Sequence, residues 1–452
     1  MSSAVAVSET FKLYDWQVDH VARLWAAIQT NNSAMDGSDT GTGKTVMALE
    51  VSKRLGLHPV IVCPKAVVPA WEYEMGRMGI RYGFARNYEK MRSGDEPFLK
   101  RRGKRMEWLV DPQAVLLIFD EVHRCKGDKS LNSKLLSAAK DQGIATLMLS
   151  ATACANPKEM KSIGYVLDMH KGKDWWNWCL RNGCRRGRFG GLDFNNSDRV
   201  LKKFHQHIYE DGRGSRIRVA DLPEGSFPET VISATGYEVQ DPHLLNNIYT
   251  EMHDSLSALE EKRANDEENP LTIQLRARQQ AELFKVPTFV DLTKDAISEG
   301  NSVVIFVNFR DTLEELYNWI DPWLSKDNSY QTTRQVCVIH GDQTADQRAE
   351  AIESFQSNKT RVCICITAAG GTGLSLHDEH GDHPRVALIS PSFSAIELRQ
   401  VLGRVHRAGG RTLSVQNIVF ANDTVESSVC EAVRRKLNNL DLVNDDDLNP
   451  IL

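Results

Sequence analysis

The sequence has few cysteines, no long apolar run and only a small excess of one charge. Its 452 residues include nine cysteines, which are too few for a disulfide scaffold. No stretch approaches ~18 uninterrupted apolar residues, which excludes a membrane-spanning helix. The first residues, MSSAVAVSETFKLYDWQ, have neither a basic start nor an apolar core of signal-peptide length. We therefore expect a reduced, intracellular protein.

The net charge of −5 conceals a difference between the two halves of the chain. Residues 1–228 contain 35 Lys and Arg against 26 Asp and Glu, whereas residues 229–452 contain 20 against 34. Hydrophobic residues make up 41% and charged residues 25%, which is the balance of a globular protein. A basic half is consistent with a polyanionic partner, and the alternative is two domains with ordinary, different surfaces.

Short apolar runs rich in β-branched residues alternate with helix-like segments. The runs are PVIVC (59–63), VLLIFD (115–120), ATLML (145–149), VVIFVNF (303–309), VCVIH (336–340), VCICI (362–366), VALIS (386–390) and VQNIVF (415–420). Such strands predict parallel sheets with helices on both faces. The first group ends near 150 and the second begins near 300, which favours two α/β domains over one long sheet. Between them, residues 241–285 are charged and helix-like.

The strongest local motif is SDTGTGKT at 38–45, which fits a phosphate-binding loop with Ser38 in place of the usual glycine. Glycines at 41 and 43 allow backbone N–H groups to curl around phosphate oxygens, so we expect the whole run Thr40, Gly41, Thr42, Gly43, Lys44 and Thr45 to bind nucleotide. Lys44 would reach the β- and γ-phosphates and Thr45 would ligate Mg²⁺. The following VMALEVSKRL predicts a helix whose N-terminus faces the phosphates.

A second motif, LLIFDEVH at 116–123, places two carboxylates at the end of a predicted strand. The carboxyl ends of strands are where α/β sheets hold their ligands. Because neighbouring residues on a strand point to opposite sides, Asp120 and Glu121 are expected to have different roles. Asp120 suits Mg²⁺ through its water shell, and Glu121 suits activation of the attacking water. The alternative is an exposed acidic strand end.

A third motif, QVLGRVHR at 400–407, contains Arg404 and Arg407 three residues apart. On a helix the two arginines would share a face. A guanidinium supplied from a second domain can stabilise the γ-phosphate during transfer, as an arginine finger does. The alternative is an ordinary basic helix.

Together these motifs resemble the superfamily-two helicases and translocases, a motor family with two RecA-like lobes. The resemblance runs from YDWQ at 14–17 to residue 407 in the family's motif order. It implies ATP and Mg²⁺ as cofactors, a nucleic acid as partner, one lobe over 1–228 and another over 229–452 that ends in a C-terminal helix. The positions of these motifs in the family imply that Gln17 recognises adenine and that Gly373 contacts the nucleotide. They also imply that the nucleic acid is contacted by Lys65, Asn308 and Thr367. Coupling between the lobes is implied for Ser150 and Thr152 of motif III.

Several segments are similar to the Swi/Snf-type translocases on duplex DNA, including DEVHRCKG, AAGGTGLSL and RIRVADLP at 216–223. The stretch 175–222 is faintly similar to the branch with annealing and fork-remodelling enzymes. Two motifs depart from the usual Swi/Snf forms. They are the phosphate loop SDTGTGKT and motif III, which reads SAT at 150–152. The similarity implies a monomeric ATPase that translocates on duplex or branched DNA. The alternatives are an RNA helicase and the motor subunit of a larger DNA-processing complex.

Basic segments give weaker predictions. KRRGKR at 100–105 is either a contact for the nucleic-acid backbone or a solvated loop. In the basic region 171–218 we expect Arg185, Arg186 and Arg188 to contact DNA, and the nearby tryptophans to pack inside the lobe. We expect His123 to couple the ATP site to motif III or to Gln400. The run His377–His383 has metal-ligand residue types, and the alternative is a polar loop.

Overall fold

The computed structural model describes most of the chain. The described residues are 12–94, 96–103, 105–126, 130–151, 156–187, 191–194, 197–223, 225–239, 241–261, 270–326, 335–370, 374–391, 395–422 and 426. They divide into two compact units, the first ending at Leu222 and the second beginning at Pro223. The sequence prediction divides the chain a few residues later, after 228. Thr152, Arg188, Gly373 and the predicted C-terminal helix lie outside the described residues.

The strands are short and lie throughout both units. They are β1 (Ser33–Asp36), β2 (His58–Cys63), β3 (Phe84–Asn87), β4 (Leu99–Arg102), β5 (Arg105–Trp108), β6 (Val115–Asp120), β7 (Ala145–Leu149), β8 (Cys184–Arg186), β9 (Leu192–Phe194), β10 (Gly214–Ser215), β11 (Thr230–Tyr237), β12 (Ser302–Val307), β13 (Val336–Ile339), β14 (Val362–Ile366), β15 (Arg385–Ile389) and β16 (Ser414–Ala421). Each of the eight predicted apolar runs overlaps one of these strands.

The helices alternate with the strands. They are α1 (Asp15–Asn31), α2 (Lys44–Leu55), α3 (Val68–Arg77), α4 (Tyr88–Ser93), α5 (Leu131–Asp141), α6 (Lys161–Val166), α7 (Trp175–Arg181), α8 (Asp198–His205), α9 (Pro242–Glu261), α10 (Pro270–Phe284), α11 (Val286–Ser298), α12 (Arg310–Lys326), α13 (Ala345–Gln356), α14 (Thr367–Gly370) and α15 (Ala395–Leu402). Within the described ranges, no helix is long and apolar enough to cross a membrane.

The first unit is built on a parallel sheet with the strand order β10-β1-β7-β6-β2-β3. Alternate residues of β6 enter two different apolar clusters: Leu117 and Phe119 lie in one, and Leu116 and Ile118 lie in the other. The sheet is therefore covered on both faces, which explains why its strands β2, β6 and β7 are largely apolar. Two small antiparallel hairpins, β4–β5 and β8–β9, are added to this unit.

The second unit has its own parallel sheet with the order β11-β16-β15-β12-β14-β13. Its central strand β12 is buried along its whole length, and Val303, Ile305 and Val307 join an apolar cluster formed with the helices α11 and α12. The prediction of two α/β units, each with a parallel sheet between helices, is confirmed.

In the first unit, β1, β7 and β6 are neighbours and run parallel. Their carboxyl ends therefore meet at one edge of the sheet. The loop 37–43 follows β1, Glu121 follows β6 and Ser150 follows β7. The fold thus brings three of the sequence motifs together at this edge.

Candidate functional site

The loop between β1 and α2 has the backbone of a phosphate-binding loop. Gly41 and Gly43 have φ angles of 85° and 86°, in the left-handed region that favours glycine. A Cβ on Gly43 would lie 2.7 Å from the Gln17 Nε2 atom, so a larger residue would also displace the Gln17 amide. Helix α2 begins at Lys44, directly after the loop, as the sequence predicts. Its N-terminal N–H groups and dipole are suited to bind an anion there.

Gln17 supports this loop from helix α1. The Gln17 Nε2 donates to the carbonyl of Thr42 at 2.9 Å, and its Oε1 accepts from the backbone N–H of Tyr14 at 3.0 Å. The side chain is buried, which fixes both ends of the amide. The structure thus places Gln17 against the phosphate loop, and its recognition of adenine stays a prediction.

The Lys44 ammonium lies inside the loop. Its Nζ donates to the carbonyls of Ser38 at 2.7 Å and Asp39 at 2.9 Å. Desolvation lowers the pKa of Lys44, and the negative charges of Asp36 and Glu121 oppose that shift. The lysine therefore lies among carboxylates, and its contacts with two carbonyls are ones that phosphate oxygens could replace.

Asp120 lies at the end of β6, and it is held by an aromatic residue for which the sequence analysis gave no role. The Trp71 Nε1 donates to the Asp120 Oδ2 at 3.0 Å, and the Tyr88 hydroxyl donates to the Asp120 carbonyl at 2.9 Å. Burial and the neighbouring Glu121 charge raise the pKa of Asp120 to about 6, while the bond from Trp71 opposes the shift. A buried carboxylate with a second carboxylate beside it favours a cation nearby.

Glu121 differs from Asp120 for a reason other than the one the sequence suggests. The strand ends at Asp120, and Glu121 has a φ of 53° in the left-handed region. The two carboxylates therefore differ in direction because the backbone turns at Glu121, and not because side chains alternate along a strand. Such a conformation costs about 1–3 kcal/mol for a non-glycine residue and is typical of functional sites.

His123 connects this turn to the end of β7. Its Nδ1 lies 3.3 Å from the Glu121 Oε2 and 3.1 Å from the Ser150 Oγ. The backbone N–H of Ser150 in turn donates to the carbonyl of Asp36, at the end of β1. A chain of contacts thus joins Glu121, His123 and Ser150, and it reaches Asp36 at the end of β1, the strand before the phosphate loop. The coupling role of these residues stays a prediction.

A buried pair below the loop was also missed by the sequence analysis. His20 and Asp36 are fully buried, with Nε2 and Oδ1 3.2 Å apart. Burial alone would raise the pKa of Asp36, but the charge and hydrogen bond of His20 lower it overall. Asp36 also accepts from the backbone N–H of Ser38 at 2.9 Å. The spacing of Gln17 and His20, which puts both on one face of α1, was the available signal.

The two candidate finger arginines do not lie on a helix. Helix α15 ends at Leu402, immediately before Gly403, so the prediction that Arg404 and Arg407 share a helical face is wrong. Glycine is a poor helix former, which explains the early end. The Arg404 side chain is buried, with its Nη1 3.4 Å from the Leu374 carbonyl, and Arg407 is half-buried.

Other predicted residues of the second unit are also packed within it. The Asn308 Nδ2 donates to the Glu282 Oε2 at 2.7 Å and to the Pro391 carbonyl at 3.1 Å. Thr367, at the start of α14, and Gln400, in α15, are buried. The roles of Asn308 and Thr367 in nucleic-acid contact stay predictions, as does the coupling role of Gln400.

Predicted nucleic-acid contacts of the first unit are exposed. Lys65 begins a short 3₁₀ turn after β2, and Arg185 and Arg186 lie on β8 of the β8–β9 hairpin. The expectation for the tryptophans is confirmed for Trp178, which is buried and stacks on Phe204 with ring centroids 5.5 Å apart, and is wrong for Trp176, which is exposed. The hairpin thus presents Arg185 and Arg186 to solvent.

The remaining polar motifs have structural roles or an exposed position. Asp378 accepts from the backbone N–H groups of His380, Gly381 and His383. Among the described residues, no group of three or more His, Cys, Asp or Glu side chains is placed to hold a metal ion, so the run 377–383 is a polar loop. The basic segment 100–105 forms the β4–β5 hairpin, whose described basic side chains are exposed.

Comparison with known proteins identifies the family. The family described as Helicase conserved C-terminal domain matches residues 285–409. A protein of Acanthamoeba polyphaga mimivirus, with the provisional name ATP-dependent RNA helicase, is 33% identical over 97% of this chain and 84% of its own length.

Two solved structures are similar over most of the chain. A Sulfolobus solfataricus SWI2/SNF2 ATPase core in complex with double-stranded DNA is 13% identical with a TM-score of 0.37, over 99% of this chain and 96% of that one. The S. cerevisiae Dbp5 bound to RNA and ADP BeF3 is 11% identical with a TM-score of 0.47, over 93% and 87%.

The chain belongs to the superfamily-two helicases. It is an ATP-hydrolysing helicase whose activity depends on a nucleic acid.

Proposed function

We propose that this helicase is a translocase on duplex or branched DNA that acts in fork or junction remodelling. The observation that carries the proposal is the exposed pair Arg185 and Arg186 on the β8–β9 hairpin of the basic half of the chain. The motif forms that are similar to Swi/Snf-type translocases support the same substrate. We propose that the chain works as a monomer.

ATP binds at the loop 38–45 of the first unit. Lys44 holds the β- and γ-phosphates, in place of its contacts with the Ser38 and Asp39 carbonyls. Glu121 orients the attacking water and accepts its proton. Arg404 and Arg407 of the second unit stabilise the negative charge that develops on the γ-phosphate.

Mg²⁺ fits the carboxylate pair at the end of β6. The burial that raises the pKa of Asp120 to about 6 makes a neighbouring cation favourable there. Asp120, through the ion's water shell, and Thr45, at the start of α2, would hold the ion. When bound, Mg²⁺ neutralises charge on the phosphate oxygens. Trp71 keeps the Asp120 carboxylate in one orientation.

DNA is contacted mainly through its phosphates. Arg185 and Arg186 are exposed, and among the described residues neither side chain forms a salt bridge, although Asp193 lies opposite Arg185 on β9. An unpaired guanidinium can bind a phosphate without first losing a protein partner. Lys65 adds a third cation on the same unit.

Changing Arg185 and Arg186 together to Ala should weaken binding of duplex DNA and reduce its salt dependence. Each phosphate that is no longer neutralised lowers the slope of log K against log salt by about 0.9. Fluorescence anisotropy with a labelled duplex at several salt concentrations measures both quantities. ATP hydrolysis without nucleic acid should stay unchanged, because neither residue contacts the loop 38–45.

The matched control is the double change Lys53→Ala and Arg54→Ala, which removes the same charge from the last turn of α2. This control should bind DNA as the unchanged protein does. If the Arg185 and Arg186 variant keeps the same salt dependence of DNA binding, the DNA contact is assigned to the β4–β5 hairpin instead. Tighter binding of double-stranded RNA than of DNA by the unchanged protein would favour an RNA helicase, which is the name given to the mimiviral relative.

A further inference from the structure

The phosphate loop of this chain has an acidic residue, Asp39, immediately before its TGTGKT run. The Asp39 carbonyl accepts from the Lys44 Nζ at 2.9 Å, so the residue lies beside the ammonium group that binds phosphates. A free carboxylate at this point would repel a polyphosphate. The structure therefore has to keep this charge away from the nucleotide or neutralise it.

Arg216 pairs with that carboxylate. The Arg216 Nη2 lies 3.1 Å from the Asp39 Oδ1, and the Asp39 Oδ2 accepts from the backbone N–H of Val219 at 3.0 Å. The Arg216 side chain is only 3% exposed, so water screens this pair weakly. Both carboxylate oxygens of Asp39 are thus bonded to the segment 216–219.

The backbone of the loop is joined to the same segment. The Ser38 Oγ accepts from the N–H of Ile217 at 3.0 Å, and the Asp39 N–H donates to the Ile217 carbonyl at 3.0 Å. The Arg216 Nε donates to the Gly37 carbonyl at 3.2 Å. These contacts extend the parallel pairing of β1 with β10 into the loop.

Ser38 and Asp39 lie in the part of the loop that departs from the usual Swi/Snf form. The Ser38 and Asp39 side chains make these contacts, so this part of the phosphate loop is held against the segment 216–219. The segment ends just before Leu222, the last residue of the first unit. A displacement of 216–219 would therefore move the two carbonyls that bind Lys44.

We propose that Arg216 is a positioning residue for ATP, which neutralises Asp39 and holds the phosphate loop in its binding shape. Arg216 does not itself contact the nucleotide. Its effect on ATP is exerted through Asp39, and removal of the Asp39 charge should make Arg216 less important. This inference rests on the proposed assignment of the loop 38–45 as the ATP site.

The test is a double-mutant cycle on ATP binding, measured by titration with a fluorescent ATP analogue without nucleic acid. Arg216→Ala should weaken binding about tenfold or more, because it removes the guanidinium that pairs with the Asp39 carboxylate. Asp39→Asn combined with Arg216→Ala should recover most of the lost affinity. The control Arg218→Ala, which removes a half-buried arginine two residues away that pairs with Asp221, should bind as the unchanged protein does.

Two outcomes would overturn the proposal. Equal affinity of Arg216→Ala and the unchanged protein would mean that Arg216 does not position the loop. Equal weakness of the single and double variants, with all proteins folded by thermal unfolding, would mean that the residue acts only through packing. Lys44→Ala separates this inference from the proposed function: if Lys44→Ala binds ATP normally, the site assignment itself fails.

Discussion

Glu121→Gln should reduce ATP turnover by about 10²–10⁴-fold, while the variant still binds ATP. The substitution removes the base that accepts a proton from water and nearly preserves the shape of the side chain. The position of the carboxylate is set by the left-handed backbone at Glu121 and by His123, whose Nδ1 lies 3.3 Å from the Glu121 Oε2. Glutamine can occupy the same position, so the effect should fall on kcat.

Steady-state hydrolysis and titration with a fluorescent ATP analogue measure the two quantities separately. Glu89→Gln is the matched control, since Glu89 is exposed on α4 of the same unit. Near-normal turnover in a folded Glu121→Gln protein would remove Glu121 from the proposed catalytic role.

Arg407→Ala should reduce kcat by about 10³-fold with a modest change in ATP affinity, which is the expected result of removing an arginine finger. Arg407→Lys should remain impaired, because an ammonium group cannot form the paired bonds of a guanidinium. Arg404→Ala should have a similar effect on kcat. Since Arg404 is buried in the second unit, that variant should also be less stable to unfolding.

The exposed Arg411 supplies the control. Arg411→Ala changes the charge of the same segment and should hydrolyse ATP at the normal rate. A loss confined to ATP affinity in Arg407→Ala, with kcat intact, would show that Arg407 binds the ground state and has no role as a finger.

The fold could be predicted from the sequence where the strands are continuously apolar. Strands such as β6 and β14 lie between two layers of helices, so their residues are apolar, apart from Asp120 at the end of β6, and the pattern is plain. Strand β11 was missed because Thr230, Ser233 and Thr235 interrupt its apolar pattern at the edge of the sheet. Strand β1 was missed because Ser33 and Asp36 leave only two apolar residues in it, and strand β10 because it has only two residues.

The site could be predicted only where one motif supplies the residues. The loop 38–45 and the pair Asp120 and Glu121 are local, and the sheet topology brings them together. The contacts of Asp120 with Trp71 and of Asp39 with Arg216 join residues 49 and 177 positions apart. No local pattern specifies such pairs. The left-handed turn at Glu121 and the early end of α15 are likewise backbone features that residue spacing does not reveal.

ATP hydrolysis with different nucleic acids tests the central claim most directly. The unchanged protein is assayed with duplex DNA, forked DNA, single-stranded DNA and RNA at equal nucleotide concentration and moderate salt, and Glu121→Gln serves as the inactive reference. The proposed function predicts that duplex or forked DNA stimulates hydrolysis more than RNA of equal length does. Stronger stimulation by RNA than by every DNA would contradict it.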